Sequence, residues 1–182
     1  MPKTEVFKAF EQLVSEYFSM KSTNLIYNSS KEHAGILIRK IVSDAKGGGT
    51  GVKLFTSGDD VDFYHNCCMD VPSTTPIAVV LEDSDHLSEY KGCFPKHAEF
   101  YKVKENGKGF AYNFVTTPNE FDSRYAPFRH FIVVGNSWRI EKPHPQSGVA
   151  NVDAVACAYS PQVASVLNAI FTKDLVPNSE KI

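Results

Sequence analysis

The residues of this chain best suited to chemistry gather late in the sequence. Arg129, His130, Arg139, Lys142 and His144 fall within residues 129–144. Arginine forks match phosphate oxygens bidentately. Arg129, His130, Arg139 and Lys142 are therefore the candidate phosphate-binding set, for a small phosphate or a nucleic-acid backbone, with affinity that falls as salt rises. The plainer reading is a set of solvated edge charges paired with Glu141. A catalytic alternative uses His130 with His65 as an acid–base pair, because imidazole titrates near neutrality. His65 sits in Tyr64-His65-Asn66-Cys67-Cys68, just past the end of an apolar strand, where α/β sites gather. Cys67 or Cys68 beside His65 is a further nucleophile candidate, set against the ordinary role of buried cysteine as core filler.

Metal chemistry finds little support. Asp59-Asp60-Val61-Asp62 lacks the alternating ligands, glycine and distal Glu of a calcium loop. Asp59, Asp60, Asp83 and Asp85 are read as acids at helix starts, where the helix dipole favours them. Cys67, Cys68, Cys93 and Cys157 form no CxxC pair and match no zinc spacing. Free thiols and a cytoplasmic protein are expected, with no cofactor and no metal. The Gly47-Gly48-Gly49 run follows a helix, whereas a phosphate-cradling loop follows a strand and opens a helix.

The whole chain bounds these ideas. It has 182 residues, 42% hydrophobic and 22% charged, with a formal charge of −2. That composition excludes a histone-like basic binder and an acidic disordered tail. The charge is unevenly placed, with nine acids against three bases in residues 51–100. No stretch approaches the roughly 20 apolar residues of a membrane span. The opening Met1-Pro2-Lys3-Thr4-Glu5 is polar and reads as no signal peptide.

The elements that must position these side chains follow from periodicity. Val6, Phe7, Phe10, Leu13, Val14, Tyr17 and Phe18 recur at three- and four-residue steps, which predicts an amphipathic helix over residues 3–20. It is expected to cover a sheet edge or meet a second subunit. Ser29 and Glu32 form a possible capping box for a second helix, with Ile36, Leu37, Ile41 and Val42 on its apolar face. Strands are predicted at 52–57 and 76–82, with short helices after each. Further strands are predicted at 98–103 and 110–115, a hairpin at 128–141 around Gly135-Asn136, and an alternating strand within 149–159. Ser160-Pro161 opens a last helix. The expected fold is α/β, a mixed sheet between helices. Residues 1–28 form an N-terminal helix and connection, 29–175 the α/β domain, and 176–182 a frayed polar tail.

This order, from about Ser29 to Leu175, resembles one half-unit of the phospholipase D-like superfamily. The carrying segments are Val52-Lys53-Leu54-Phe55-Thr56, Ile77-Ala78-Val79-Val80-Leu81-Glu82, Arg129-His130-Phe131-Ile132-Val133-Val134-Gly135, Trp138-Arg139-Ile140-Glu141 and the helix from Ser160-Pro161 to Ile170-Phe171. Active members use His-x-Lys-x4-Asp, with His as the nucleophile on phosphorus. The match puts Phe128 at the His position, His130 at the Lys position and Gly135 at the Asp position, and the chain has no His-x-Lys. The resemblance implies a single-unit member with a degenerate site. It would be homodimeric and act as a binding or assembly module for nucleic acid, a phosphate-bearing ligand or a protein. A surviving phosphodiesterase or nuclease using His130 with His65 is the alternative.

Overall fold

The computed structural model describes residues 5–28, 30–47, 50–65, 67–105, 128, 130–142 and 153–182. Its centre is one eight-stranded mixed sheet in the order β1-β7-β6-β5-β2-β3-β4-β8. The strands are β1 Leu25–Asn28, β2 Val52–Thr56, β3 Ile77–Leu81, β4 Glu99–Val103, β5 Phe131–Val134, β6 Ser137–Glu141, β7 Ala154–Cys157 and β8 Ser179–Lys181. Strands β2, β3 and β4 run parallel, and every other pairing is antiparallel. The α-helices among the described residues are α1 Glu5–Ser19, α2 Lys31–Ser43, α3 Leu87–Cys93 and α4 Pro161–Ile170. This is the expected α/β class.

Alternation along the central strands sends one set of apolar side chains to each face. Val52, Leu54, Val79, Ile132 and Val134 meet α2, a 3-10 turn at Val61–Tyr64 and α3. Phe55, Val80, Phe131, Val133, Trp138 and Ile140 meet α4 on the opposite face. Helix α1 lies outside α2, with Val14 buried against Ile26 and Leu37. Among the described residues no helix is long and apolar enough to cross a membrane.

Several local expectations change. The cap of α2 is Ser30, whose hydroxyl accepts from the His33 N–H at 3.2 Å; Ser29 lies outside the described residues. The connection before α2 contains β1, which pairs with β7 at the sheet edge. The helix predicted after β2 is one 3-10 turn, and α3 begins at Leu87, after the acids expected to cap it. Asp83 instead accepts from the Asp85 N–H at 3.0 Å, and that bond holds its carboxyl below the usual range. The supposed frayed tail forms β8, which closes the β4 edge. Both missed strands sit at sheet edges, and their pairing partners are distant in sequence. The strand expected at 110–115 lies outside the described residues.

Candidate functional site

The site is built by register. Thr56 ends β2 beside Leu81 of β3. Phe55 faces Phe131 on β5, which puts Thr56 and His130 one step further along the same ladder. His130 then accepts the Glu141 N–H at 2.9 Å, and Glu141 faces Ala154 of β7. One row across the sheet, at the carboxyl ends of its parallel strands, thus brings Thr56, His130 and Glu141 together. Sites of open α/β sheets collect at this edge.

The row is polar, charged and almost dry. Asp60, Arg139, Glu141 and His130 are 1–4% exposed. Arg139 and Glu141, two apart on β6, share a face and form an ion pair. The Arg139 guanidinium carbon lies 5.7 Å from the Phe63 ring centroid, within reach of a cation–π contact. His130 Nε2 stands 3.2 Å from Glu82 Oε2, its Nδ1 4.0 Å from Glu141 Oε2, and its ring meets Phe55 edge-on at 5.1 Å. Asp60, at the start of the 3-10 turn, is hydrogen-bonded by the hydroxyls of Thr56 and Tyr90.

Burial dominates the electrostatics. It raises the Glu141 carboxyl above its ordinary value, against the opposing pull of Arg139. Burial also pushes the Tyr64 and Tyr90 phenols well up, with Asp60 adding to both. Each phenol is therefore a neutral hydroxyl near neutral pH, and Tyr90 donates to Asp60. Isolated buried charges are costly, and these are held by partners. The arrangement is an internal polar cluster, with Arg139 facing Glu141 and His130 facing Glu82.

The sequence candidates are distributed unevenly over it. His130 and Arg139 come together in the cluster, each beside a carboxylate. Lys142 is exposed just past β6, with its backbone N–H bonded to Asp153 O at 2.9 Å. Arg129 and His144 lie outside the described residues. His65 is not brought to His130: its imidazole is largely exposed, 3.7 Å from Asp62 and 3.5 Å from the Cys93 thiol. The expected Cys67 or Cys68 nucleophile is corrected by burial. All four cysteines are free and buried, and burial lifts Cys67 to about 11 and Cys68 further. A thiol so raised yields almost no thiolate at neutral pH. No group of metal-ligating side chains occurs among the described residues.

Sequence reasoning missed Thr56, Asp60, Tyr64, Glu82 and Tyr90 as members of this site. Asp60, an acid at an expected helix start, makes no side-chain cap bond. The usable signal was a strand of apolar residues ending in Thr56, followed by a glycine and then acids.

No family model matches the chain, and no curated protein does. Its fold does have a likeness among solved structures. It is similar to TrmBL2, an archaeal chromatin protein whose structure shows a novel mode of DNA binding, with a TM-score of 0.51. The match covers 96% of this chain and 62% of TrmBL2 at 11% identity, so this chain spans less than two-thirds of that protein. At that identity the likeness shows the fold alone.

Proposed function

We propose that this chain is a phospholipase D-like half-unit that has lost phosphohistidine chemistry and works, as a homodimer, as a nucleic-acid-binding module. The observation that carries this reading is the burial of His130 and Arg139 at the carboxyl edge of the sheet. A residue that attacks phosphorus must reach the diester, and one that binds its oxygens must have charge to spare. His130 is 4% exposed beside Glu82, and Arg139 is 1% exposed beside Glu141. Phe128, at the family's nucleophile position, is fully buried. An old catalytic position filled by buried side chains already engaged with carboxylates favours scaffold over enzyme.

The likeness to TrmBL2 makes nucleic acid the first ligand to try, although fold does not fix function. The test is fluorescence anisotropy with a labelled oligonucleotide at about 50 mM and about 200 mM salt. Binding that weakens with salt is expected, with no turnover of a generic phosphodiester. Metal-independent turnover abolished by His130→Ala would replace this reading with a phosphodiesterase. The absence of any binding at low salt would sink the nucleic-acid module.

A further inference from the structure

We infer that the groove between the end of α3 and the β4–β8 edge is the surface that takes the phosphodiester backbone of nucleic acid. The inference rests on the nucleic-acid reading above and gives it a location. The groove has a volume of about 520 Å³. Phe100 and Pro95 line its apolar part, while Lys91, Lys96, His97 and Lys181 supply its basic side chains.

The charge balance decides the ligand class. Glu99 is the acidic side chain lining the groove, and both its oxygens are engaged. Lys181 bridges Oε1, and the Tyr101 hydroxyl donates to Oε2 at 2.9 Å. Lys181 is thereby matched, leaving Lys91 and Lys96 exposed with no carboxylate partner among the described residues. Lys91 Nζ sits 5.8 Å from the Phe100 ring centroid, which draws it toward the groove. His97 is anchored to the Thr75 carbonyl at 3.1 Å.

The acidic middle of the chain makes this placement stand out. Residues 51–100 hold nine acids and three bases, and two of those bases, Lys91 and Lys96, line this groove. The third, Lys53, is bonded to Asn168 on the α4 face at 2.6 Å. Meanwhile Asp60 is buried, Asp70 pairs with Lys46, and Glu89 pairs with His86. Two of the three bases of this acidic segment thus lie on one concave surface. Phe100 is 5% exposed and offers no face for a base to stack on. Contact is therefore with phosphates, independent of sequence and weakened by salt.

The experiment is an anisotropy titration of the full chain with a labelled single-stranded oligonucleotide and with its duplex. It is run at about 50 mM and about 200 mM salt. K91E/K96E is compared with wild type and with K8E/K173E, which makes the same change of net charge at exposed lysines elsewhere. Circular dichroism and thermal melts check that all three are folded. The groove variant is expected to bind about tenfold more weakly at low salt with a shallower salt dependence, while the control stays within about twofold. Equal affinity of the groove variant and wild type overturns the groove and leaves the nucleic-acid reading standing. Equal loss in both variants also overturns it, since net charge alone would then explain binding. No wild-type binding overturns both.

Discussion

Arg139 is the residue on which the buried cluster turns. Its guanidinium faces Glu141, and it also offsets the burial that raises that carboxyl. Arg139→Met keeps much of the volume but leaves Glu141 without its cation. The expected cost is about 3–5 kcal/mol at neutral pH, the usual penalty for removing one partner of a buried pair. The pH dependence has a definite sign. The folded state holds the Glu141 proton more tightly than the unfolded chain does. That contribution is complete below the ordinary carboxylate value and is lost as pH rises through the raised folded value. Without Arg139 the folded value rises further. Urea denaturation at about pH 7 and about pH 5 should show the variant's deficit shrinking at the lower pH. An undiminished deficit would place the cost in packing around Phe63, Tyr64 and Tyr90, not in charge.

At the scale of elements, two short features hold the site and the sheet edge. Gly58 follows β2 with φ +102°, and a Cβ there would come within 2.7 Å of the Asp83 carbonyl oxygen. The turn that delivers Asp60 to Thr56 and Tyr90 thus depends on glycine. Gly58→Ala combines a rare backbone conformation with a backbone collision, and a loss of about 2–3 kcal/mol is expected in thermal or urea unfolding. A neutral result would mean that the turn re-forms without the close approach to Asp83. At the other end of the sheet, β8 pairs with β4 around Lys102 and Glu180, flanked by Lys104 N–H to Asn178 O at 2.9 Å and Ile182 N–H to Phe100 O at 3.0 Å. Glu180→Pro removes a donor from this ladder and should fray β8 at a cost of about 1 kcal/mol. Hydrogen exchange reads it directly: the Lys104 and Ile182 amides should lose protection while β2 and β3 keep theirs.

For the molecule as a whole, the proposed homodimer has a surface on which to be tested. Val6, in the first turn of α1, is 72% exposed and Met20, just past its end, 68%, with Leu13 partly exposed between them. Large apolar side chains so open on one helix favour a partner on its outer face. Sedimentation velocity should give twice the chain's mass, and V6E/M20E should return it to one. A wild-type monomer at tens of micromolar would remove the dimer without touching the groove. The groove and this helix lie on different elements, so binding and association are separable measurements.

Much of the architecture was legible from local pattern. The apolar runs of β2 and β3, the Gly135 turn with φ +58° and the stripe of α4 all report burial or backbone geometry, which periodicity encodes directly. The α/β class followed from the sequence by itself, as did the absence of any His-x-Lys pair. The edge strands β1 and β8 were not legible, because three or four residues carry little pattern and their partners are far along the chain. Nor was the state of the charges. Arg139 beside Glu141 reads the same way as an exposed edge pair or as a buried one. Only the packing of the 3-10 turn and α3 over that face, carrying Phe63, Tyr64 and Tyr90, removes the water. Burial is a property of what lies on top, and in this chain those covering residues come from a different part of the sequence.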